Sequence, residues 1–263
     1  MSDIKVSVLG SGSKGNCTLI ETPQTKILID CGFSTRETVK RLTGLGVNPS
    51  EINAIFLTHE NKDHTDGVAG FARKFDVPVF ANEISLGELE GATDVSGVNF
   101  KCFSNEDFYF RELTVAPFEV SHDSKHCNGY SIYSAGEKVS LTTDLGYIDE
   151  KILLSLEGSH TVVIESNHEP SYLMANTKYP VVLKQRIAGK CGHLSNEDCA
   201  EAIVSLAKTG TKNFVLAHLS QENNTPQKAL QITSDELLNN GADIENEFNI
   251  LVASQTQFVK ANK

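Results

Sequence analysis

The sequence lacks several features that would place it in a familiar class. No apolar run approaches the roughly 20 residues that a helix needs to cross a bilayer. The six cysteines include no C-x-x-C pair, the pattern that would indicate a zinc ribbon or a thiol redox motif. The first residues also lack the basic and apolar segments of a secretory signal. We therefore expect a cytoplasmic protein with no membrane contact, whose cysteines are free thiols.

Positive charge is scarce as well. The 23 Lys and Arg residues are outnumbered by 34 Asp and Glu residues, and the net charge of −11 argues against broad, nonspecific binding to nucleic acid. The stretch 170–196 is an exception, because it has no acidic residue and contains four cations: Lys178, Lys184, Arg186 and Lys190. Either an anionic ligand approaches this stretch, or it is a chance gap on a solvated face.

The order of the segments predicts one domain over residues 1–263, a length that can bury a full hydrophobic core. Strand-like runs come first in each half and helices follow, which favours helices on the outer faces of two packed sheets. The predicted strands are 5–9, 17–22, 26–30, 54–57, 77–80, 98–103, 113–120, 129–133, 138–142, 161–165, 213–217 and 249–252. The predicted helices are 34–45, one ending near residue 75, a short one after residue 80, and two beginning near residues 196 and 226.

The segment Gly10–Gly15 reads G-x-G-x-x-G and follows a predicted strand, with Asp30 about 20 residues later. A dinucleotide-binding loop has this pattern, but it also needs a helix directly after the glycines to meet the pyrophosphate. Here the β-branched run 17–22 and Pro23 leave no room for a helix before the next strand. We therefore interpret the segment as a tight turn between two strands, a candidate lining of the site, and expect no nicotinamide cofactor.

The strongest chemical signal is the segment Thr58–His64, which reads Thr-His-Glu-Asn-Lys-Asp-His and follows a short apolar strand. Two imidazoles and up to two carboxylates are costly to hold in one loop unless a cation neutralises them. Borderline divalent metals accept this mixture of nitrogen and oxygen ligands. The alternative interpretation is a polar loop with incidental histidines.

Further candidate ligands follow other predicted strands. The pair His122-Asp123 comes after the strand 113–120, Asp144 after the run 140–143, and His218 after the run 214–217. A single His or Asp after a strand is usually part of a polar turn. With the segment 58–64, these residues make four such signals at four strand ends, and together they indicate a metal centre.

These residues resemble the signature of the metallo-β-lactamase superfamily, T-H-x-H-x-D-H followed by a His, an Asp and a final His. Three further segments are more specific: 165–168 (Glu-Ser-Asn-His), 192–196 (Gly-His-Leu-Ser-Asn) and 217–224 (Ala-His-Leu-Ser-Gln-Glu-Asn-Asn). With the segment 58–64, they resemble the YycJ (WalJ) family of bacterial 5′-exonucleases along essentially the whole chain. The resemblance implies an α/β (α+β) fold, a four-layer αββα sandwich with the site at one edge between the sheets. It also implies one or two divalent ions of zinc, manganese or iron.

The resemblance implies a role for each matching position. His59 and His122 would bind one ion, and Asp63, His64 and His218 would bind the other. Asp144 would bridge the two ions, and Asp30 would support the site. Asn61 stands where the family has a histidine, and it is the weakest of the candidate ligands. Because an amide oxygen binds zinc less well than an imidazole does, we expect the ion at His59 to bind weakly, or to be an oxygen-tolerant metal such as manganese.

The implied chemistry is hydrolysis, since a bound cation lowers the pKa of water to about 7 and polarises a phosphoryl group. Asp63 and His193 are the candidate catalytic residues. His193 would bind a phosphate oxygen or protonate the leaving group, unless it only caps a turn. Ser195 is predicted to cap a helix whose amides attract anions. The side chains considered for a terminal phosphate are Asn167, His168, Lys184, Arg186 and Ser195, with a surface strand as the alternative for Lys184 and Arg186.

Three functions are compatible with these residues. The specific motifs and the basic stretch favour a metal-dependent exonuclease that degrades DNA from a 5′ end, in DNA repair. The alternative is a hydrolase of the same fold that acts on a small phosphodiester, a thioester or a lactone. A third hypothesis, that Asn61 marks a degenerate site in a metal-stabilised binding module, is less favoured because the other ligands are present.

Overall fold

The computed structural model of the chain describes residues 3–261, so residues 1–2 and 262–263 of the expected domain lie outside the described part. The strands are β1 (Lys5–Gly10), β2 (Cys17–Glu21), β3 (Lys26–Ile29), β4 (Ala54–Phe56), β5 (Val79–Asn82), β6 (Phe100–Phe103), β7 (Phe108–Phe110), β8 (Leu113–Val120), β9 (Cys127–Ser134), β10 (Glu137–Thr142), β11 (Thr161–Glu165), β12 (Asn213–Ala217), β13 (Asn249–Val252) and β14 (Val259–Lys260). The helices are α1 (Thr35–Gly44), α2 (Lys62–Thr65), α3 (Val68–Phe75), α4 (Glu83–Ala92), α5 (Glu150–Leu156), α6 (Pro170–Ala175), α7 (Val181–Ile187), α8 (Asn196–Lys208), α9 (Pro226–Asn239) and α10 (Ile244–Glu247). None of these described helices has the length and apolar character needed to span a membrane.

The described strands form two sheets of seven. The first has the order β14-β1-β2-β3-β4-β5-β6 and the second the order β13-β12-β11-β10-β9-β8-β7. Each sheet combines antiparallel hairpins with a parallel part, β3 to β6 in the first and β10 to β13 in the second. The parallel strands β11 and β12 are buried on both faces, which explains their nearly continuous apolar sequences.

Three hydrophobic clusters show that helices cover the outer face of each sheet. The central cluster lies between the sheets and joins Ile27 and Ile29 of β3 to Val163 of β11. Leu28 points to the opposite face of β3 and packs in a second cluster with Phe71 of α3. In the third cluster, α5, α8 and α9 pack against β11 and β12. The four-layer αββα sandwich expected from the sequence is therefore confirmed.

Most predicted elements are present, and the differences lie where local signals are weak. Ser34 caps α1 by accepting a hydrogen bond from the Glu37 amide, as the capping pattern predicts. The strand predicted at 77–80 begins only at Val79, because the Val77 amide still bonds to the Ala72 carbonyl at the end of α3. Elements with no counterpart in the prediction are β7, β14, α5, α6, α7 and α10.

The glycine loop, residues 10–15, connects β1 and β2, which are antiparallel neighbours. The expected turn between two strands is therefore confirmed. Gly12 and Gly15 have φ values of 138° and 145°, a region that residues with a Cβ rarely adopt. The backbone of this turn therefore explains the glycines at positions 12 and 15 without a dinucleotide-binding role.

Candidate metal centre

Polar side chains collect where β3, β8, β10 and β12 end. Asp30, Asp144 and His218 follow three of these strands, and all three have left-handed backbones with φ of 62°, 57° and 54°. This conformation costs a non-glycine residue about 1 to 3 kcal/mol and is concentrated at functional sites. The strand ends therefore show the local strain that is typical of a site, at three positions singled out from the sequence.

The loop 59–64 is held against the end of β3 and against the glycine loop. The Asn16 amide, just after the glycine loop, donates to the Asp63 carbonyl at 2.7 Å. At Gly32 a Cβ atom would lie 1.7 Å from the same carbonyl oxygen, so only glycine permits this approach. The glycine loop thus lies beside the site and fixes the backbone that carries Asp63.

Asp63, His64 and His218 form the first cluster of donors. Asp63 Oδ2 lies 3.6 Å from Nε2 of His64 and 3.7 Å from Nε2 of His218. The Nδ1 atom of His64 is 2.7 Å from the Asp30 carboxylate, and that of His218 is 2.7 Å from Glu165. Because each Nδ1 is directed at a carboxylate, the Nε2 atoms face the cluster, as in histidines that bind metals.

His59, His122 and Asn61 form a second cluster beside the first. His59 is fully buried; its Nδ1 lies 3.6 Å from the Cys127 sulfur. His122 Nδ1 donates to the Gly192 carbonyl at 3.2 Å, and its Nε2 is 3.5 Å from the Asn61 amide group. The two imidazole rings are 5.2 Å apart. The Asn61 amide group therefore lies beside His122 Nε2, the atom through which His122 would bind a metal ion.

Asp144 lies between the two clusters. Its Oδ2 is 2.9 Å from Nε2 of His64, and its Oδ1 is 3.8 Å from Nε2 of His122. The same Oδ1 lies 3.4 Å from Nδ1 of His218 and 3.5 Å from Nδ1 of His193. The carboxylate thus contacts rings of both clusters, which is the position that a bridging ligand requires.

Several buried polar atoms show that a cation fits this site. Within the described residues, His59 Nε2, Asp144 Oδ2 and His218 Nε2 are buried and make no hydrogen bond, which costs about 1 to 3 kcal/mol for each atom. Burial lowers the pKa of His64, but the Asp30 and Asp144 carboxylates outweigh it and raise the pKa well above its usual range. Either a proton or a metal cation therefore lies between His64 Nε2 and Asp144 Oδ2. Three sets of ligand atoms lie close enough together to hold an ion: His59, His64 and Asp144; Asp63, His64 and His218; and Asp144, Glu165, His193 and His218. Such nitrogen and oxygen donors suit zinc, manganese and iron.

The pKa values reflect the same balance of burial and charge. Burial lowers the pKa of His59 well below its usual range, and the neighbouring His64 lowers it further, so the His59 ring is neutral and able to bind a metal. Burial also lowers the pKa of His218, but the Asp144 carboxylate and other carboxylates outweigh it and raise the pKa to about 10. Burial raises the pKa of Asp63, yet the His218 and His64 rings bring it to about 2. The carboxylates therefore stay ionised and attract positive charge to the cluster.

Glu165 belongs to the site, although no role for it is predicted from the sequence. It is fully buried and accepts hydrogen bonds from Nδ1 of His193 at 2.9 Å and Nδ1 of His218 at 2.7 Å. Its other oxygen accepts from the Leu145 amide at 3.0 Å and the Leu194 amide at 3.1 Å. The sequence does contain a signal for this role, because Glu165 ends an otherwise apolar strand. A buried carboxylate is costly without partners, so its position predicts hydrogen-bond donors nearby.

Asn16 is a second residue without a predicted role. Its Nδ2 lies 3.0 Å from His64 Nε2 and 3.3 Å from Asp63 Oδ2. Its Oδ1 accepts hydrogen bonds from the Ser11 hydroxyl and the Gly12 amide, each at 2.9 Å. Asn16 therefore joins the glycine loop to the first cluster, a contact between distant segments that no local pattern reveals.

His193 lies at the open side of the site. Its side chain is 23% exposed, more than that of His64 or His218, and its ring is 5.2 Å from the ring of His218. Burial lowers the pKa of His193, but the hydrogen-bonded Glu165 carboxylate outweighs it and raises the pKa. The Glu165 carboxylate thus favours the protonated form of the imidazole at the edge of the ligand cluster.

Of three side chains considered for phosphate binding, two make structural contacts and the third, His168, is buried with its Nδ1 unpaired within the described residues. Asn167 is buried and donates to the His218 carbonyl at 2.7 Å, and His168 is only 2% exposed. Ser195 caps α8 as predicted: its hydroxyl accepts from the Asp198 amide and donates to the Asp198 carboxylate. Buried or already paired groups do not reach a substrate, so burial and pairing argue against direct phosphate binding by the three residues.

The acid-free stretch forms α6, α7 and the loop that returns to the site. Lys184 and Arg186 therefore lie on a helix, and the surface strand considered for them is wrong. Lys184 Nζ donates to the Met174 carbonyl at 2.6 Å, Arg186 forms an ion pair with Asp123, and Lys190 is exposed. Arg186 is thus already paired with a carboxylate at the site.

Comparison with known proteins identifies the family. The sequence profile of the beta-lactamase superfamily domain matches residues 25–219. The exodeoxyribonuclease YycJ of Bacillus anthracis is 35% identical over 246 residues, which cover 93% of either chain. The chain belongs to the YycJ family of the beta-lactamase superfamily. The exodeoxyribonuclease WalJ of Streptococcus pneumoniae serotype 2 (strain D39) has the same 35% identity to this family member over 237 residues, 87% of each chain.

The fold comparison agrees with the family. The metallo-beta-lactamase fold protein YhfI from Bacillus subtilis superposes with a TM-score of 0.73 over 98% of this chain and 100% of its own, at 16% identity. At that identity the match shows the fold alone. With the family and the donor cluster together, this YycJ family member is a metal-dependent hydrolase, which argues against the hypothesis of a degenerate binding module.

Proposed function

We propose that this family member is an exodeoxyribonuclease that removes nucleotides from the 5′ end of DNA, in the cytoplasm and in DNA repair. The observation that carries the proposal is the 35% identity, over nearly the full length of both chains, to a protein named exodeoxyribonuclease. The site supports it, because four imidazoles carried by the two sheets converge on the carboxylate of Asp144. This is the donor set that phosphodiester hydrolysis with divalent ions needs.

Within the proposal, each cluster holds one divalent ion of zinc, manganese or iron. Bound there, the ions would lower the pKa of water to about 7 and neutralise charge on the phosphoryl group. The proposed ligands fall into two groups around the bridging Asp144: Asp63, His64 and His218; His59, His122 and Asn61. Asp63 has a further role, since its side chain is 25% exposed and faces the side from which the attacking water enters.

His193 is the proposed proton donor to the leaving oxygen. Its Nδ1 is fixed by Glu165 at 2.9 Å, which leaves Nε2 for the substrate. The Glu165 carboxylate favours the protonated ring, and that form can give a proton as the phosphodiester bond breaks. A protonated His193 would also place positive charge beside the phosphate of a DNA substrate bound at the metal ligands.

The decisive experiment compares linear DNA labelled at the 5′ end with the same DNA labelled at the 3′ end. The protein is first stripped of metal and then supplied with Mn²⁺, Zn²⁺ or Fe²⁺. The 5′ label should be released at once in short products, while the 3′ label should remain on a strand that shortens with time. Hydrolysis of a small phosphodiester, thioester or lactone without any cleavage of DNA would instead establish the alternative function.

Two lysines of the acid-free stretch, the exposed Lys190 and the partly exposed Lys184, should contribute to DNA binding. Replacing Lys184 and Lys190 together with alanine should weaken DNA binding about tenfold at low salt. It should also reduce the slope of log K against log salt by roughly 1.5 to 2, because two phosphate contacts are lost. Fluorescence anisotropy with a catalytically inactive variant measures both quantities.

Lys101→Ala is the matched control for these lysines, because Lys101 is equally charged and exposed but lies on the edge strand β6 of the first sheet. It should change neither the affinity nor the salt slope. An unchanged salt slope in the double variant would show that DNA approaches the site from another side.

A further inference from the structure

Asp123 is a carboxylate beside the second cluster that the proposed mechanism does not use. It follows His122 after β8, and its Oδ1 lies 3.2 Å from Nε2 of His122. The same nitrogen is 3.5 Å from the Asn61 amide group and 3.8 Å from Asp144 Oδ1. Asp123 therefore approaches the atom through which His122 would bind an ion.

The contact between Asp123 and His122 brings together two acceptors. His122 Nδ1 donates to the Gly192 carbonyl at 3.2 Å, so the ring hydrogen is on Nδ1 and a lone pair is on Nε2. A carboxylate oxygen also offers only lone pairs. Either a proton on Nε2 or a metal cation therefore has to lie between the two atoms at 3.2 Å, and a metal ion at Nε2 would take the place of that proton.

The separation is the one expected for two ligands of the same ion. Nitrogen and oxygen ligands lie about 2.0 to 2.2 Å from zinc, so two of them at a tetrahedral angle are roughly 3.4 Å apart. The distance from His122 Nε2 to Asp123 Oδ1 is 3.2 Å, which fits two ligands of one ion. Asn61 Nδ2 lies 3.5 Å from the same nitrogen, and the Asn61 amide would have to turn its oxygen inward to join them.

We propose that Asp123 is a ligand of the ion bound by His59 and His122. It supplies the strong anionic donor that Asn61, with its neutral amide, does not. The proposal rests on the assignment of these two histidines to an ion, and it does not depend on DNA being the substrate. It predicts that the second ion is held by more oxygen ligands than the sequence signature implies, which suits manganese better than zinc.

Arg186 is the positioning residue for this ligand. Its Nε and Nη2 atoms both donate to Asp123 Oδ2, which leaves Oδ1 directed at His122. The Arg186 side chain is 67% exposed, so the ion pair contributes little to stability. The effect of the ion pair is to orient the Asp123 carboxylate. Arg186 is therefore assigned to positioning Asp123, and not to binding a terminal phosphate as considered from the sequence.

Calorimetric titration of the metal-stripped protein with Mn²⁺, in the absence of DNA, tests the proposal. The wild-type protein should bind one ion tightly and a second more weakly. Asp123→Asn should weaken the second ion at least tenfold and leave the first unchanged, while Arg186→Gln should weaken the second ion several-fold. Glu222→Gln removes an exposed carboxylate from a comparable ion pair, with Lys178 at 2.6 Å, and should change neither ion.

The variant Asn61→His separates compensation from simple loss of charge. In the wild-type background, an imidazole at this position should strengthen the second ion. In the Asp123→Asn background it should recover most of the lost affinity, because the new ring replaces the missing donor. Electron paramagnetic resonance of bound Mn²⁺ reports on the same site independently of the calorimetry.

Three results would overturn the proposal. Unchanged affinity for both ions in Asp123→Asn would leave Asp123 as a surface partner of Arg186 alone. A wild-type protein that binds a single ion at millimolar Mn²⁺ would show that there is no second ion to hold. Retention of both ions in His122→Ala would show that the second cluster is wrongly assigned, whichever substrate the protein cleaves.

Discussion

Replacing Asp63 with alanine should abolish DNA cleavage and remove the ion of the first cluster. Asp63 Oδ2 lies 3.6 and 3.7 Å from Nε2 of His64 and His218, so alanine removes the carboxylate that this pair of rings faces. Losing the stabilisation that one ion gives to a phosphoryl transition state, about 4 kcal/mol, reduces the rate roughly a thousandfold. Single-turnover cleavage of 5′-labelled DNA measures the rate, and metal analysis of the purified variant measures the ion.

Asp66→Ala is the matched control, because Asp66 ends the same helix, α2, but is exposed. It should keep full activity and both ions. His64→Ala should abolish cleavage as well, with a larger loss of stability, since the His64 ring is fully buried against Asp30. A folded Asp63→Ala protein that cleaves DNA at the wild-type rate would refute the assignment of the site.

The ligand loop and the apolar strands could be predicted because their signals are local. In the segment 58–64 the donors are neighbours in the chain, and the hydrophobic runs 113–120, 161–165 and 213–217 coincide with β8, β11 and β12. Strand ends then fix where the remaining donors lie, since strands of the same direction end at the same edge of a sheet. This rule places Asp144 and His218 together at one edge of the second sheet; the family resemblance was needed to join them to the loop, which follows β4 of the first sheet.

The supporting contacts could not be predicted in the same way, because they join segments that are far apart in the chain. Glu165 contacts His193, 28 residues away, and His218, 53 residues away. Propensity was also misleading at Val181 and Val182, whose β-branched side chains favour a strand, although the segment after Pro180 is the helix α7. Tertiary contacts decide such a segment, and Arg186 on α7 makes one of them with Asp123.

Replacing Glu165 with glutamine should both destabilise the protein and weaken the ion of the first cluster. The four groups around the carboxylate all donate: the amides of Leu145 and Leu194, and Nδ1 of His193 and His218. Glutamine keeps one acceptor oxygen and turns an NH₂ group toward donors. Because each buried donor left without a partner costs about 1 to 3 kcal/mol, the free energy of unfolding should fall by about 3 kcal/mol. Chemical denaturation in EDTA measures this loss without a contribution from metal.

The same substitution separates a positioning role for Glu165 from a purely structural one. If Glu165 orients His218 toward the ion, Mn²⁺ affinity at the first cluster should fall about 10- to 100-fold, as when other partners of metal-binding histidines are removed. The second ion should be affected less, because Glu165 does not contact His59 or His122 within the described residues. Glu150→Gln, at an exposed position in the first turn of α5, should change neither stability nor affinity. A destabilised Glu165→Gln protein with wild-type Mn²⁺ affinity would show that the carboxylate holds the fold together and that the His218 ring keeps its orientation without it.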